Sequence, residues 1–202
     1  MSEKVKVDIW FDPICPFAWI TSRWILETAK VRDIDPQWNV MSLSYLNKDR
    51  EIDEAHADAF GKAWGPVRVV AAIMAQHGND ATLRFYNAIG ERVHLKKEKV
   101  SDELIAAALA EAGLPAELLA IAHDESWDAP MIASHQRAID LVGNDVGTPV
   151  VALNGVGYFG PVISPAPKGE DAGRLWDGLS AIMSVPGFFE LKKARTVGPI
   201  FS

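Results

Sequence analysis

Hydrophobic and polar residues alternate over positions 4–11, KVKVDIWF, setting Val5, Val7, Ile9 and Phe11 against Lys4, Lys6, Asp8 and Trp10. A period of two predicts a strand with one buried face. The run DPICP breaks it. From Pro16 to about Lys30, Phe17, Ile20, Trp24 and Ile25 recur at helical spacing, and proline suits the first helical position because the N–H it lacks would go unpaired there. Residues 37–47, QWNVMSLSYLN, predict a second strand with Met41, Leu43 and Tyr45 on one face. The chain thus opens β-α-β, and the right-handed crossover rule makes these strands parallel.

Between about 53 and 140 strand patterns vanish. Four segments divided by Gly, Pro and Asn/Asp suit helices, and Ser101 before Asp102 and Glu103 predicts a capped helix start. Strand signals return at 148–163, TPVVALNGVGYFGPVI. There Asn154-Gly155 predicts a hairpin, because both residues tolerate positive φ. A last helix is expected over about 170–184, with Leu175, Trp176, Leu179, Ile182 and Met183 on one side.

Composition narrows the function classes. A chain of 202 residues that is 49% hydrophobic can bury a full core. Its net charge of −7 argues against nucleic acid, which requires a basic face. The first ten residues lack the apolar run of a signal peptide, and stretches such as VVAAIMA (69–75) are too short to span a bilayer, so no membrane partner is expected. The single cysteine, Cys15, cannot form an internal disulfide and fits a reducing, cytoplasmic setting.

Cys15 falls where a strand ends and a helix begins. Free backbone N–H groups and the helix dipole at that point favour a thiolate, the reactive species; Asp8 and Asp12 would oppose it. The alternative is a small core hydrophobe. GVGYFG (155–160) matches G-x-G-x-x-G literally but lies in a hairpin rather than at a helix start, so it is not read as a dinucleotide site. His56, His77, His94, His123 and His135 lack ligand spacing and no metal is expected; His56 or His135 would face the cleft from the helical block. Trp64, beside Gly61, Gly65 and Pro66, either packs in the core or lines that cleft.

Cys15-Pro16-Phe17-Ala18 stands where the thioredoxin fold carries Cys-x-x-Cys, and Thr148-Pro149 where it carries its cis-proline before a strand. With the order β-α-β, helical block, hairpin, helix, the chain resembles the DsbA class. FDPICPFAW, SLSYLN and GTPVVALNGVGYFGPVIS resemble cytoplasmic DsbA-like proteins related to mycothiol-dependent nitroreductases. More distantly they resemble the kappa-class glutathione transferase and hydroxychromene-carboxylate isomerase group. The resemblance implies an α/β, thioredoxin-like (DsbA-type) fold. It makes 1–202 one domain, its thioredoxin-like part at 1–52 and 141–202, with an all-helical insertion at 53–140 as a lid over Cys15.

Ala18 replaces the second cysteine, which leaves monothiol chemistry: Cys15 as nucleophile and a low-molecular-weight thiol, mycothiol before glutathione, to resolve its adducts. The resemblance implies that Pro16, Phe17 and Trp19 border the thiol, with Trp19 open to a core role instead. Asn47 would contact the thiol cofactor or merely end the second strand. Thr148 and Pro149 would pair with the ligand backbone if the bond is cis, and Gly160–Ser164 would shape the pocket beside them. The expected enzyme reduces mixed disulfides or electrophilic small molecules. Alternatives are a thiol-dependent transferase or isomerase, or a non-catalytic binding protein; homodimerisation is an expectation from the same relatives.

Overall fold

A computed structural model describes residues 4–49 and 54–201, side chains included except those of residues 54–60 and 62. In chain order the elements are β1 (Val5–Phe11), α1 (Pro16–Thr28), β2 (Ile34–Val40), α2 (Leu43–Leu46), α3 (Glu54–Gly90), α4 (Asp102–Glu111), α5 (Asp128–Val142), β3 (Val150–Leu153), β4 (Val156–Phe159) and α6 (Gly169–Met183). The sheet order is β2-β1-β3-β4. β1 and β2 are parallel, with Ile9 opposite Trp38 and Phe11 opposite Val40, while β3 and β4 run antiparallel. Asn154 and Gly155 take φ of 53° and 80° and close the β3–β4 hairpin.

β1 departs from the single buried face its alternation predicts. Val7, Ile9 and Phe11 are buried on one face, but Trp10 is buried on the other with Met41, Ala138, Ile139, Val150 and Ala152. The reason is its central place in the sheet: α5 covers the second face, and Trp10 Nε1 donates to Ser134 O at 3.0 Å. The first face carries the larger core, including side chains of α1, α3 and α6. There Phe11 stacks on Tyr86 at 3.8 Å between ring centroids, and Trp24 Nε1 donates to Ala172 O at 3.0 Å, tying α1 to α6.

The second strand ends earlier than the pattern of 37–47 suggests. Ser42 Oγ accepts the Tyr45 N–H at 3.1 Å and turns residues 43–46 into a helical turn, so Leu43 and Tyr45 are not strand residues. The free edge of β2 is occupied by α3. Gly78, with φ 79°, interrupts that helix, and the next residue, Asn79, accepts the Trp38 N–H at 2.8 Å and donates to Pro36 O at 2.9 Å. After Gly90 the chain forms a π-helical turn, 91–95, then α4, capped by Ser101 Oγ.

Gly90 has helical dihedrals, yet a Cβ there would lie 2.2 Å from the Trp19 ring, so α3 and α1 meet through a missing side chain. Gly90→Ala should therefore destabilise the fold by about 2 kcal/mol or more despite alanine's better helix propensity. Gly178→Ala, on the open face of α6 with nothing within 4 Å, should stabilise it by up to about 1 kcal/mol. Urea midpoints of the two variants check the pair.

Candidate active site

The loop between β1 and α1 is fixed by Asp12. Its Oδ1 accepts the Ile14 N–H at 3.0 Å and its Oδ2 accepts the Leu43 N–H at 2.8 Å, while its own carbonyl accepts the Cys15 N–H at 3.0 Å. Asp12 is fully buried, and loss of water pushes its pKa up to about 6 against the pull of those two N–H groups. On the far side of the Leu43 turn, His135 Nδ1 accepts the Ser42 N–H at 3.3 Å. His135 is buried, and its burial lowers its pKa to about 4. It supports the turn and packs edge-on against Tyr45.

Cys15 is the N-cap of α1 and Pro16 is the first helical residue. Sγ accepts the Ala18 N–H at 3.5 Å and donates to Thr148 O at 3.5 Å. The helix start and the residue before Pro149 thus meet at the sulfur. The Thr148–Pro149 peptide bond is cis. Pro149 O accepts the Gly160 N–H at 2.8 Å, which draws the 160–164 segment against the same place, and Thr21 Oγ1 donates to Pro161 O at 2.7 Å.

The expected exposed, acidified thiol is corrected by the structure. Cys15 is only 6% exposed, and burial pushes its thiol above the ordinary cysteine value. Thr148 and the Ala18 N–H pull it down and the Asp12 carboxylate pushes it up further, but desolvation dominates. The helix N-terminus faces a largely desolvated sulfur. A protonated thiol also suits the contact to Thr148 O, because a carbonyl oxygen accepts from S–H and repels S⁻.

The remaining anticipated residues divide. Phe17 is half-buried at the rim, with the Arg195 guanidinium 4.5 Å from its ring centroid. Trp19 belongs to the core: it is buried against Gly90, Tyr86 and His94, with Arg23 stacked 3.9 Å from its ring. Asn47 is the C-cap of α2, donating through Nδ2 to Leu43 O at 2.8 Å, not the end of a strand. Trp64 packs half-buried between Tyr45 and Arg68. The side chain of His56 lies outside the described residues.

Thr148 enters through its side chain as well as its backbone, and His94 had no signal in the sequence. Thr148 Oγ1 is buried, and apart from the thiol whose pKa it lowers it has no hydrogen-bond partner among the described residues, so it has capacity left for a ligand. His94 is buried with Nε2 3.0 Å from Pro13 O, bracing the Cys15 loop from the π-helical turn, and burial lowers its pKa to about 4. Among the described residues no group of three or more His, Cys, Asp or Glu is arranged to hold a metal ion.

These buried groups set the acid stability of the site. Asp12 has its pKa raised from 3.8, so its stabilisation is complete below that value and is lost as pH rises through about 6. His94 and His135 have theirs lowered from 6.5, so their stabilisation is complete above that value and is lost as pH falls through about 4. Each group contributes about 3 kcal/mol in opposite directions, and the histidines outnumber the carboxylate. Raising pH from 4 to 7 should therefore strengthen the fold, by about 3 kcal/mol. Asp12→Asn should steepen that rise while weakening the fold at every pH, since an amide oxygen satisfies only one of the two N–H groups. Urea unfolding across this range reads both effects.

Comparison with known proteins gives this geometry a setting. Residues 14–193 match the family model of the mycothiol-dependent nitroreductase Rv2466c. Rv2286c, an uncharacterized protein of Mycobacterium tuberculosis, is 30% identical over 192 residues, covering 94% of this chain and 82% of that protein. Among solved structures, the probable DsbA oxidoreductase SCO1869 of Streptomyces coelicolor superposes with a TM-score of 0.62 at 17% identity, covering 95% of this chain and 94% of the other. The cytosolic disulfide reductase DsbM of Pseudomonas aeruginosa, crystallised with GSH, gives 0.56 at 16% identity over 88% of this chain and all of its own. With its α/β architecture and a lone cysteine at the head of α1, the chain has the DsbA-like thioredoxin fold and belongs to the Rv2466c-like family of mycothiol-dependent nitroreductases, which makes it an oxidoreductase.

Proposed function

We propose that the protein is a monothiol oxidoreductase in which Cys15 is the nucleophile and a low-molecular-weight thiol, mycothiol before glutathione, is the reductant. The observation that carries this reading is the placement of Cys15 Sγ at the N-terminus of α1, 3.5 Å from both the Ala18 N and Thr148 O. Family membership supplies the thiol, and Thr148 Oγ1 beside the sulfur has capacity left for a polar ligand there. Ala18 leaves no second cysteine to resolve an adduct, so the partner thiol supplies the second sulfhydryl when it binds.

Cys15 gives up its proton and attacks one sulfur of a disulfide; the old S–S bond breaks and the departing thiolate takes a proton. The Ala18 N–H and the start of α1 face the sulfur as charge develops on it. Thr148 offers its hydroxyl and its backbone to the incoming chain in the manner of an added strand. Cys15 is regained when the low-molecular-weight thiol attacks the other sulfur of the adduct, the Cys15 S–S bond breaks and Cys15 takes up a proton. When the adduct carries that same thiol, one mixed disulfide is reduced and the two thiols leave joined as their disulfide. The reading includes a cytoplasmic location, where thiols stay reduced, and a homodimer formed through the helices between β2 and β3.

The raised thiol pKa favours a second reading, in which Cys15 stays protonated and its S–H hydrogen-bonds to the sulfur of a bound thiol in a transferase or isomerase, or merely in a binding protein. Intact mass spectrometry separates them. On exposure to mycothiol disulfide or glutathione disulfide the protein should gain one thiol, removed by dithiothreitol and absent in Cys15→Ser. Wild-type protein that gains no reducible mass contradicts the covalent reading. Full turnover by Cys15→Ser contradicts it equally, since a hydroxyl replaces a hydrogen bond and not a disulfide.

A further inference from the structure

The segment after α6, residues 186–201, forms neither helix nor strand, yet it contacts residues on either side of Cys15. Its path is marked by contacts in order. Tyr158 Oη donates to Phe188 O, and their rings meet edge-on at 5.9 Å. The Arg195 guanidinium lies on Phe17, two residues after Cys15. Ser164 Oγ donates to Gly198 O and accepts the Ile200 N–H, both at 2.8 Å. Phe201 packs on His94 at 5.7 Å between ring centroids, with Lys97 Nζ 5.0 Å from the Phe201 ring centroid, and His94 in turn contacts Pro13 O, two residues before Cys15.

The strap therefore touches both flanks of the Cys15 loop, and also the 160–164 segment that contacts Pro149. Between these anchors it is held weakly: Phe189 is 86% exposed and Leu191 is 80% exposed, and its backbone joins no sheet. A segment with so little burial opens at small cost, whereas the core beneath it does not.

We propose that residues 186–201 are a strap that closes the Cys15 cleft, and that its release is what admits reagents to the thiol. Closed, it withholds water from the sulfur; open, it exposes the α1 N-terminus and Thr148 together. The strap is independent of which thiol or substrate Cys15 meets, so it stands or falls apart from the proposed reaction.

Alkylation of the full-length protein tests it without any turnover. The second-order rate of Cys15 alkylation by iodoacetamide at fixed pH should rise about tenfold in an Arg195→Ala, Phe201→Ala double variant, since each stacked contact shifts an equilibrium by up to about that factor. A bulky maleimide should gain more than iodoacetamide does. Ser164→Ala removes the two hydrogen bonds from a half-buried position outside the core and should also raise the rate, by about three- to tenfold. It keeps the test decisive if the double variant folds poorly. Phe189→Ser, altering a strap side chain that faces water, should leave the rate unchanged. Rates within twofold of wild type in Ser164→Ala overturn the proposal, and so does an equal rise in Phe189→Ser.

Discussion

Asp12 has lost its water and holds two backbone N–H groups in exchange, those of Ile14 and Leu43. That exchange joins the loop after β1 to the turn after β2, and the rest of the site follows from it. With Ile14 fixed, Cys15 becomes the cap of α1, and its sulfur reaches across to Thr148 at the head of β3. A carboxylate there also places negative charge near the thiol, which adds a smaller push to the larger effect of burial in keeping it protonated at rest.

Helix N-termini acidify cysteines when the sulfur can be solvated or paired; burial reverses the balance. In this chain the sulfur has one backbone N–H at 3.5 Å, a carbonyl oxygen at the same distance, and a buried acid nearby. A ligand that brings a donor to the sulfur, or displaces what covers it, would change that balance more than any alteration of the helix. Reactivity is then coupled to access, and the thiol is quiet until something binds or opens.

Much of the architecture was legible in the residues. The alternation of Val5 to Phe11, the proline at 16, the Ser101 cap and the Asn154-Gly155 turn each have a local cause, and each element formed where that cause lies. Trp10 and Trp19 misled for one shared reason. Hydrophobic pattern reports that a side chain is apolar, but not that a second layer of helix covers the far face of β1 or that Gly90 opens a slot for an indole. Asn47 misled because Ser42 caps a turn locally, an effect that competes with strand alternation and wins. The site was legible as Cys15 facing Thr148-Pro149. Its burial was not, because the groups packed around that loop, Thr148, His94 at Pro13 and Arg195 on Phe17, are all far away in sequence. Among the described residues no helix is long and apolar enough to cross a membrane, in line with the short apolar runs.

The central claim is that desolvation outweighs the helix terminus at this cysteine. The most direct measurement is the pH titration of thiolate ultraviolet absorbance in the ligand-free, full-length protein, with Cys15→Ser as the blank for tyrosine. The account predicts an inflection above that of free cysteine. An inflection below it would mean that the sulfur is already a stabilised, solvated thiolate, and would contradict the account.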